Sequence, residues 1–135
     1  MTELEQIARV RRDVRTIEKI KDPSEAVQLA AVEQYSWAVA GIENPTEKVQ
    51  LVVVHKCPYH IAHIKKPSES AQIVAVLDDV RNIEYINELS EGAVRALMKH
   101  NFPALLRNSV QNKIKDRELI REINHLVTVR DVHDR

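Results

Sequence analysis

The chain is poor in glycine, with two among 135 residues. That scarcity argues against Gly-rich phosphate loops and against many tight hairpins. It holds one cysteine, Cys57, which excludes an intramolecular disulfide and suits a reducing compartment. Aromatics are scarce at 4%, and net charge is absent, because twenty Lys and Arg cancel twenty Asp and Glu. There is thus no bulk attraction to nucleic acid or to an anionic membrane. No apolar run approaches the ~20 residues a membrane-spanning helix needs. The opening "MTELEQIARVRRDVR" is charged throughout and carries no h-region of a signal peptide. A soluble, cytoplasmic protein is expected, with one domain and one continuous core. GxSxG, P-loop, HExxH and kinase signatures are all missing, and nothing amounts to a nucleophile, a base and an orienting group. The chain therefore reads as non-enzymatic, with no catalytic residue and no cofactor.

What is present is repetition. Pro23, Pro45 and Pro67 are 22 residues apart. Ile20, Ile42, Ile64 and Ile86 keep that spacing, as do Gln6, Gln28, Gln50 and Gln72. A fourth series runs Glu3, Glu25, Glu47, Glu69, Glu91, each preceded by Thr or Ser. Internal repeats decide a fold before local propensity does. The units are 1–21, 22–43, 44–65, 66–87 and 88–109, followed by a divergent segment, 110–135. The run "QLVVVHK" at Gln50–Lys56 looks like a strand by itself. Its register equivalents "QLAAVEQ" and "QIARVRR" are helical in character, so the valines belong to a helix.

Helix starts agree with the repeat. In "DPSE" and "NPTE", Asp22 and Asn44 suit the N-cap, proline the first helical position, and glutamate the third. Lys66 is a poor cap in the fourth unit. In the fifth, Leu89 replaces the proline and Ser90 takes over the cap. The second half of each unit carries apolar residues three apart, such as Val14, Ile17, Ile20 and Val80, Ile83, Ile86, which predicts a short second helix with 3₁₀ character. Neither helix can bury its apolar face alone, so the units must stack. The expected fold is all-α: an α-solenoid of about five 22-residue helix-turn-helix repeats. A terminal cap completes it, with Leu119, Ile120, Ile123, Leu126 and Val127 facing inward.

Units of the form "I-x-N/D-P-S/T-E-x-V-Q-L-x-x-V" resemble short two-helix repeats of uncharacterised bacterial and phage proteins, and are more distantly similar to leucine-rich variant repeats. The resemblance is strongest over 20–65 and extends over 1–109. It implies an α-solenoid and no known activity. The iron–sulfur cluster of some leucine-rich variant proteins needs several cysteines, which this chain lacks.

The registers sort residues into rows. Gln28, Gln50 and Gln72 read as side-chain amides bonding between neighbouring units. On the second helices, Arg15, Trp37, Tyr59 and Arg81 share one register, and Lys19, Gly41, His63, Tyr85 and Arg107 another, four residues on. Either the aromatics fill gaps between thin helices or they form a displayed ridge. Displayed, they combine the residue types enriched at binding hot spots. The candidate protein-binding residues are Arg15, Trp37, Tyr59, His63, Arg81 and Tyr85. A regulator or inhibitor of a larger complex fits the family resemblance.

The set His55, Cys57, His60 and His63 has zinc-binding side chains but not the spacing of a structural zinc site, and Pro58 interrupts it. No metal site is assigned. Adjacent Asp78 and Asp79 face different directions on a helix. Nucleic-acid binding is the alternative function. Arg9, Arg11, Arg12, Arg15, Lys19 and Lys21 make one end basic. Arg95, Lys99, Arg107, Lys113, Lys115 and Arg117 populate the other, with Trp37 and Tyr59 between for stacking. Asp13, Glu18, Glu33, Glu43 and Glu84 interrupt that surface. An uncapped end exposing Ile or Val would also favour a homodimer.

Overall fold

Apolar spacing of three within a six-residue segment lines one side of a 3₁₀ helix, which has 3.0 residues per turn. The computed structural model, which describes residues 1–133 and side chains through 129, uses this winding in every second half-unit. Five α-helices of ten residues each open the repeats: α1 (Glu3–Arg12), α2 (Glu25–Gln34), α3 (Glu47–Lys56), α4 (Glu69–Asp78) and α5 (Glu91–His100). Each is followed by a 3₁₀ helix: η1 (Val14–Lys19), η2 (Ser36–Gly41), η3 (Pro58–His63), η4 (Val80–Tyr85) and η5 (Phe102–Leu106). A short α6 (Asn108–Gln111) and a long α7 (Arg117–His133) finish the chain. Among the described residues there is no strand, and the molecule is an all-α repeat solenoid. Residues 134 and 135 of the expected cap lie outside the described residues.

The α-helices form one layer, each packed on the next from α1 to α5, and η1 to η4 form a second layer stacked the same way. The core lies between them. Val10, Val32, Val54 and Val76 fill one register from the α layer, and Ile17, Val39, Ile61 and Ile83 meet them from the 3₁₀ layer. Ile42, Ile64 and Ile86, in extended conformation just past each 3₁₀ helix, close the core at the linker edge. The "QLVVVHK" segment is α3, with Val49, Gln50, Val53 and Val54 buried. Its unbroken apolar character follows from packing on α2, α4, η2 and η3 together. Burial at about 25 cal/mol per Å² outweighs the few tenths of a kcal/mol that valine costs in a helix.

The Ser90 cap of the fifth unit is as expected, whereas Asp22 and Asn44 are not the caps of theirs. Thr2, Ser24, Thr46, Ser68 and Ser90 occupy the N-cap, each hydroxyl oxygen accepting from the backbone N–H three residues on. Glutamate is therefore the first helical residue, where its carboxylate still meets the positive end of the helix dipole. The prolines lie before the helix, and Asp22 sits in the left-handed region at φ 48, which Asp tolerates better than most residues. Hydroxyl caps at the same position in every unit make Lys66 and Leu89 harmless to helix initiation.

The glutamine series binds the units together as expected. Gln28, Gln50 and Gln72 are buried. Each amide nitrogen donates to the carbonyl of its own unit's proline, at 3.0, 3.1 and 3.2 Å for Pro23, Pro45 and Pro67. Each amide oxygen accepts the backbone N–H of the next unit's cap residue: Thr46 at 3.2 Å, Ser68 at 2.7 Å and Ser90 at 2.9 Å. Val94 occupies this register in the fifth unit, after which the repeat ends.

The C-terminal segment takes over there. Leu89, standing where proline would lack an N–H, donates to the Lys113 carbonyl at 2.8 Å. The Lys113 ammonium returns to the carbonyls of Glu84 and Ile86. Helix α7 buries Leu119 and Ile123, half-buries Ile120, Leu126 and Val127, and is tied to α5 through Arg95 and Glu122. The expected inward face is the observed one. At the other end, α1 leaves Leu4 exposed and Ile7 half-buried.

Candidate interaction surface

The 3₁₀ layer has a fixed sidedness. In η1 to η4 the fourth residue (Ile17, Val39, Ile61, Ile83) is buried and the second, fifth and sixth turn outward, apart from half-buried Gly41. All six residues singled out in the sequence, Arg15, Trp37, Tyr59, His63, Arg81 and Tyr85, are exposed. Trp37 is 40% exposed and Tyr59 53%, so the aromatics are displayed and do not serve as core filling. The two registers form two rows. Residues four apart on a 3₁₀ helix diverge by roughly 120°, whereas residues three apart eclipse. Arg15, Trp37, Tyr59 and Arg81 are therefore aligned with Glu18, Ala40, Ala62 and Glu84, and His63 and Tyr85 run along the adjoining row.

This alignment reveals an order that the sequence reading missed. Along the ridge the second and fifth positions read Arg15 and Glu18, Trp37 and Ala40, Tyr59 and Ala62, Arg81 and Glu84. The second and third units present a large aromatic beside an alanine, and the first and fourth, which flank them, present an arginine beside a glutamate.

The residue before each of η1 to η4 follows the same division; before η5 it is Asn101, which makes no side-chain cap. In the flanking units it is Asp13 or Asp79, whose carboxylate accepts the backbone N–H of Arg15 or Arg81. In the middle units it is Tyr35 or Cys57, and neither makes a side-chain cap. Tyr35 instead stacks on Trp37 with ring centroids 5.4 Å apart. Hydrogen bonding to the Cys57 side chain, and that thiol's charge when ionised, push the Tyr59 hydroxyl above its ordinary range, with Tyr85 a lesser influence. The middle units thus lack the side-chain cap where they carry ridge residues. The series 13, 35, 57, 79 at spacing 22 could have exposed this from sequence. It also explains Asp79, which is a cap and an ion-pair partner of Arg81 at 2.7 Å and not half of an acidic pair with Asp78. The Arg81 contact holds its carboxyl below the usual carboxylate range.

Restoring the missing bond tests this account. Cys57→Asp is expected to raise the unfolding free energy by about 0.5–1 kcal/mol, the usual worth of an N-cap, in a urea titration. An unchanged or lower value would mean that the backbone at Tyr59 cannot use such a cap.

His60 joins the middle units. Its Nδ1 lies 2.8 Å from the Ser36 hydroxyl, and its ring meets Tyr59 edge-on at 4.5 Å and His63 at 5.3 Å. Burial, with His63 adding to it, lowers its pKa below the ordinary histidine value, so the neutral ring is favoured. Among the described residues no three His, Cys, Asp or Glu side chains converge to hold a metal.

On the linker edge, two open depressions are joined by a smaller one of about 280 Å³ lined by Glu43, Asn44, Gln50, Lys65 and Lys66. One of about 820 Å³ is lined by Ile64, Lys66, Gln72, Tyr85 and Glu88, and another of about 460 Å³ by Lys19, Lys21, Gln28 and Glu43. Their buried glutamines are already bonded within the protein, leaving a mixed-charge furrow with no convergent reactive groups. Among the described residues, no helix is long and apolar enough to cross a membrane. Compared with family models, curated proteins and solved structures, the chain matches none.

Proposed function

We propose that this solenoid is a non-enzymatic interaction module, in keeping with a bacterial or phage cytoplasmic regulator or inhibitor, and that it binds a protein through the 3₁₀ ridge. The observation that carries the reading is Trp37 and Tyr59 exposed side by side, in two adjoining units whose 3₁₀ helices lack the Asp cap found in the first and fourth. Local rules are broken in natural proteins chiefly where function requires it. An aromatic centre between charged ends is also the anatomy of a binding patch, in which central rings supply affinity and a polar rim excludes water. Arg15, Arg81, His63 and Tyr85 form that rim.

Charge placement favours this reading over nucleic-acid binding. At the C-terminal end Arg95 is paired with Glu91 and Glu122, Lys115 with Glu88, and Lys113 with backbone carbonyls. Two of that cluster's six cations are thus paired with glutamates, which weakens it as a phosphate-binding track.

The test is a pull-down with wild-type protein and with the Trp37→Ala, Tyr59→Ala double variant, whose folding is checked by circular dichroism. Loss of captured proteins by a folded double variant is the expected result. Full retention would refute the ridge as the binding face, and tight oligonucleotide binding at ~50 mM salt, where counterion release favours it most, would support the alternative.

A further inference from the structure

The ridge has a property that an arbitrary partner would not require: it is complementary to itself. Consider two copies meeting ridge to ridge about a two-fold axis that runs along the stack, between the second-position and fifth-position rows. Each 3₁₀ helix then meets its own counterpart antiparallel, and second-position residues face fifth-position residues. Arg15 faces the partner's Glu18, and Arg81 faces the partner's Glu84. Trp37 faces the partner's Ala40, and Tyr59 faces the partner's Ala62. Every opposition is arginine against glutamate or a large ring against a methyl group, and two-fold symmetry makes each occur twice.

The other axis that brings the ridges together lies across the stack, along the 3₁₀ helices. It sets Arg15 against the partner's Arg81 and Glu18 against the partner's Glu84. Like charges in direct opposition are strongly disfavoured. The order of charges along the ridge therefore selects the first arrangement over the second.

We infer that the partner of this surface is a second copy of the chain, docked in register about an axis parallel to the solenoid. This rests on the ridge being the interaction face, and it adds the identity of what covers that face. The eight residues are exposed in the single chain. Arg81 binds Asp79 through Nε and Nη2 while its side chain stays 84% exposed, so its Nη1 edge is placed to meet a second carboxylate. The depth of the docking comes from Ala40 and Ala62, whose small side chains let the opposing rings approach the 3₁₀ backbone. Helix α7 covers one end of the solenoid, and α1 at the other leaves Leu4 as its one large apolar side chain exposed among charged residues, too little apolar surface to match the ridge.

Four stacked units at helix-packing distances of about 9 Å give a ridge shorter and narrower than the ~800 Å² per partner of a standard interface, so dissociation on the order of 10–100 μM is expected. The experiment is sedimentation over a concentration series spanning that range. Wild type should rise in mass from 15.5 kDa toward twice that value, and Trp37→Ala should stay monomeric. Arg15→Glu alone and Glu18→Arg alone should each weaken the dimer about tenfold, because each puts like charges in opposition. The variant carrying both should recover wild-type association within about threefold, since the reversed pair is again complementary. These positions are exposed, so the charge variants keep the fold, which thermal melts confirm.

A wild type at 15.5 kDa throughout would overturn the inference. If the Trp37→Ala, Tyr59→Ala variant then still loses its captured proteins, the ridge stands and its partner is another protein. A dimer that survives Trp37→Ala would defeat the self-docking and place the contact on another face. Failure of the double charge swap to recover, or tightening by Arg15→Glu alone, would overturn the axis along the stack.

Discussion

Replacing Gln50 with leucine lowers the unfolding free energy by about 2–4 kcal/mol, although the substitution adds apolar surface to a buried site. The size follows from what the side chain leaves behind. Gln50 is 7% exposed and bonds the Pro45 carbonyl with its nitrogen and the Ser68 N–H with its oxygen. Leucine leaves both half-buried backbone groups without that partner, and each unmet group costs about 1–3 kcal/mol, less where water reaches it. The Ser68 N–H belongs to the cap residue of α4, so the loss falls on the junction between two repeats. The effect should appear in urea titration as a lower midpoint. Gln34→Leu is the control: its amide also bonds carbonyls, of Val10 and Ala30, but it is exposed and water can replace it. A Gln50→Leu change no larger than the control's would refute the structural role of the glutamine series.

Ile61→Ala is expected to cost about 3–4 kcal/mol, within the range for removing a buried isoleucine. Ile61 is fully buried on the inner side of η3, directly beneath the ridge that carries Tyr59 and Ala62. Because η3 packs on η2, η4, α3 and α4, a cavity there loosens two junctions together. Ile17→Ala, in the first unit with a neighbour on one side only, should cost less. In a solenoid, stability is a sum of unit and nearest-neighbour contributions, so a lesion in the middle can divide cooperative unfolding into two transitions. Urea curves followed at two probes would show this as separated midpoints or a reduced denaturant slope. Equal losses at positions 17 and 61 with one sharp transition would mean that the array melts as a single block.

The all-α repeat class, the bonding of Gln28, Gln50 and Gln72 and the inward face of α7 were legible because each recurs at one spacing or one period. A series such as Ile20, Ile42, Ile64 and Ile86 carries information that no single segment holds, and it overrode the strand-like look of Leu51–Val54. The helix start was misplaced by two residues. "DPSE" offers two competent cap residues, Asp22 and Ser24, and only the backbone decides between them. The 3₁₀ winding was harder to see. Apolar residues three apart over six positions fit either helix type, yet the choice rotates every outward residue. That rotation pairs Trp37 with Ala40 and Tyr59 with Ala62, and so the order along the ridge became visible only in the structure.

The glutamine bonds between units each span 18 residues. The other side-chain bonds between units reach 23 or 24 residues, as in Gly92 to Glu69, Gln34 to Val10 and Ser36 to His60. At the C-terminal closure the reach is 27 to 29 residues. Chain closure becomes costlier as the intervening segment lengthens, and here every segment is about one unit long. The repeats can accordingly dock one after another in the order of synthesis, each finding its partner groups on the unit just completed. Lys113, beyond the fifth α-helix, then closes back on Leu89 and Ile86 across that unit.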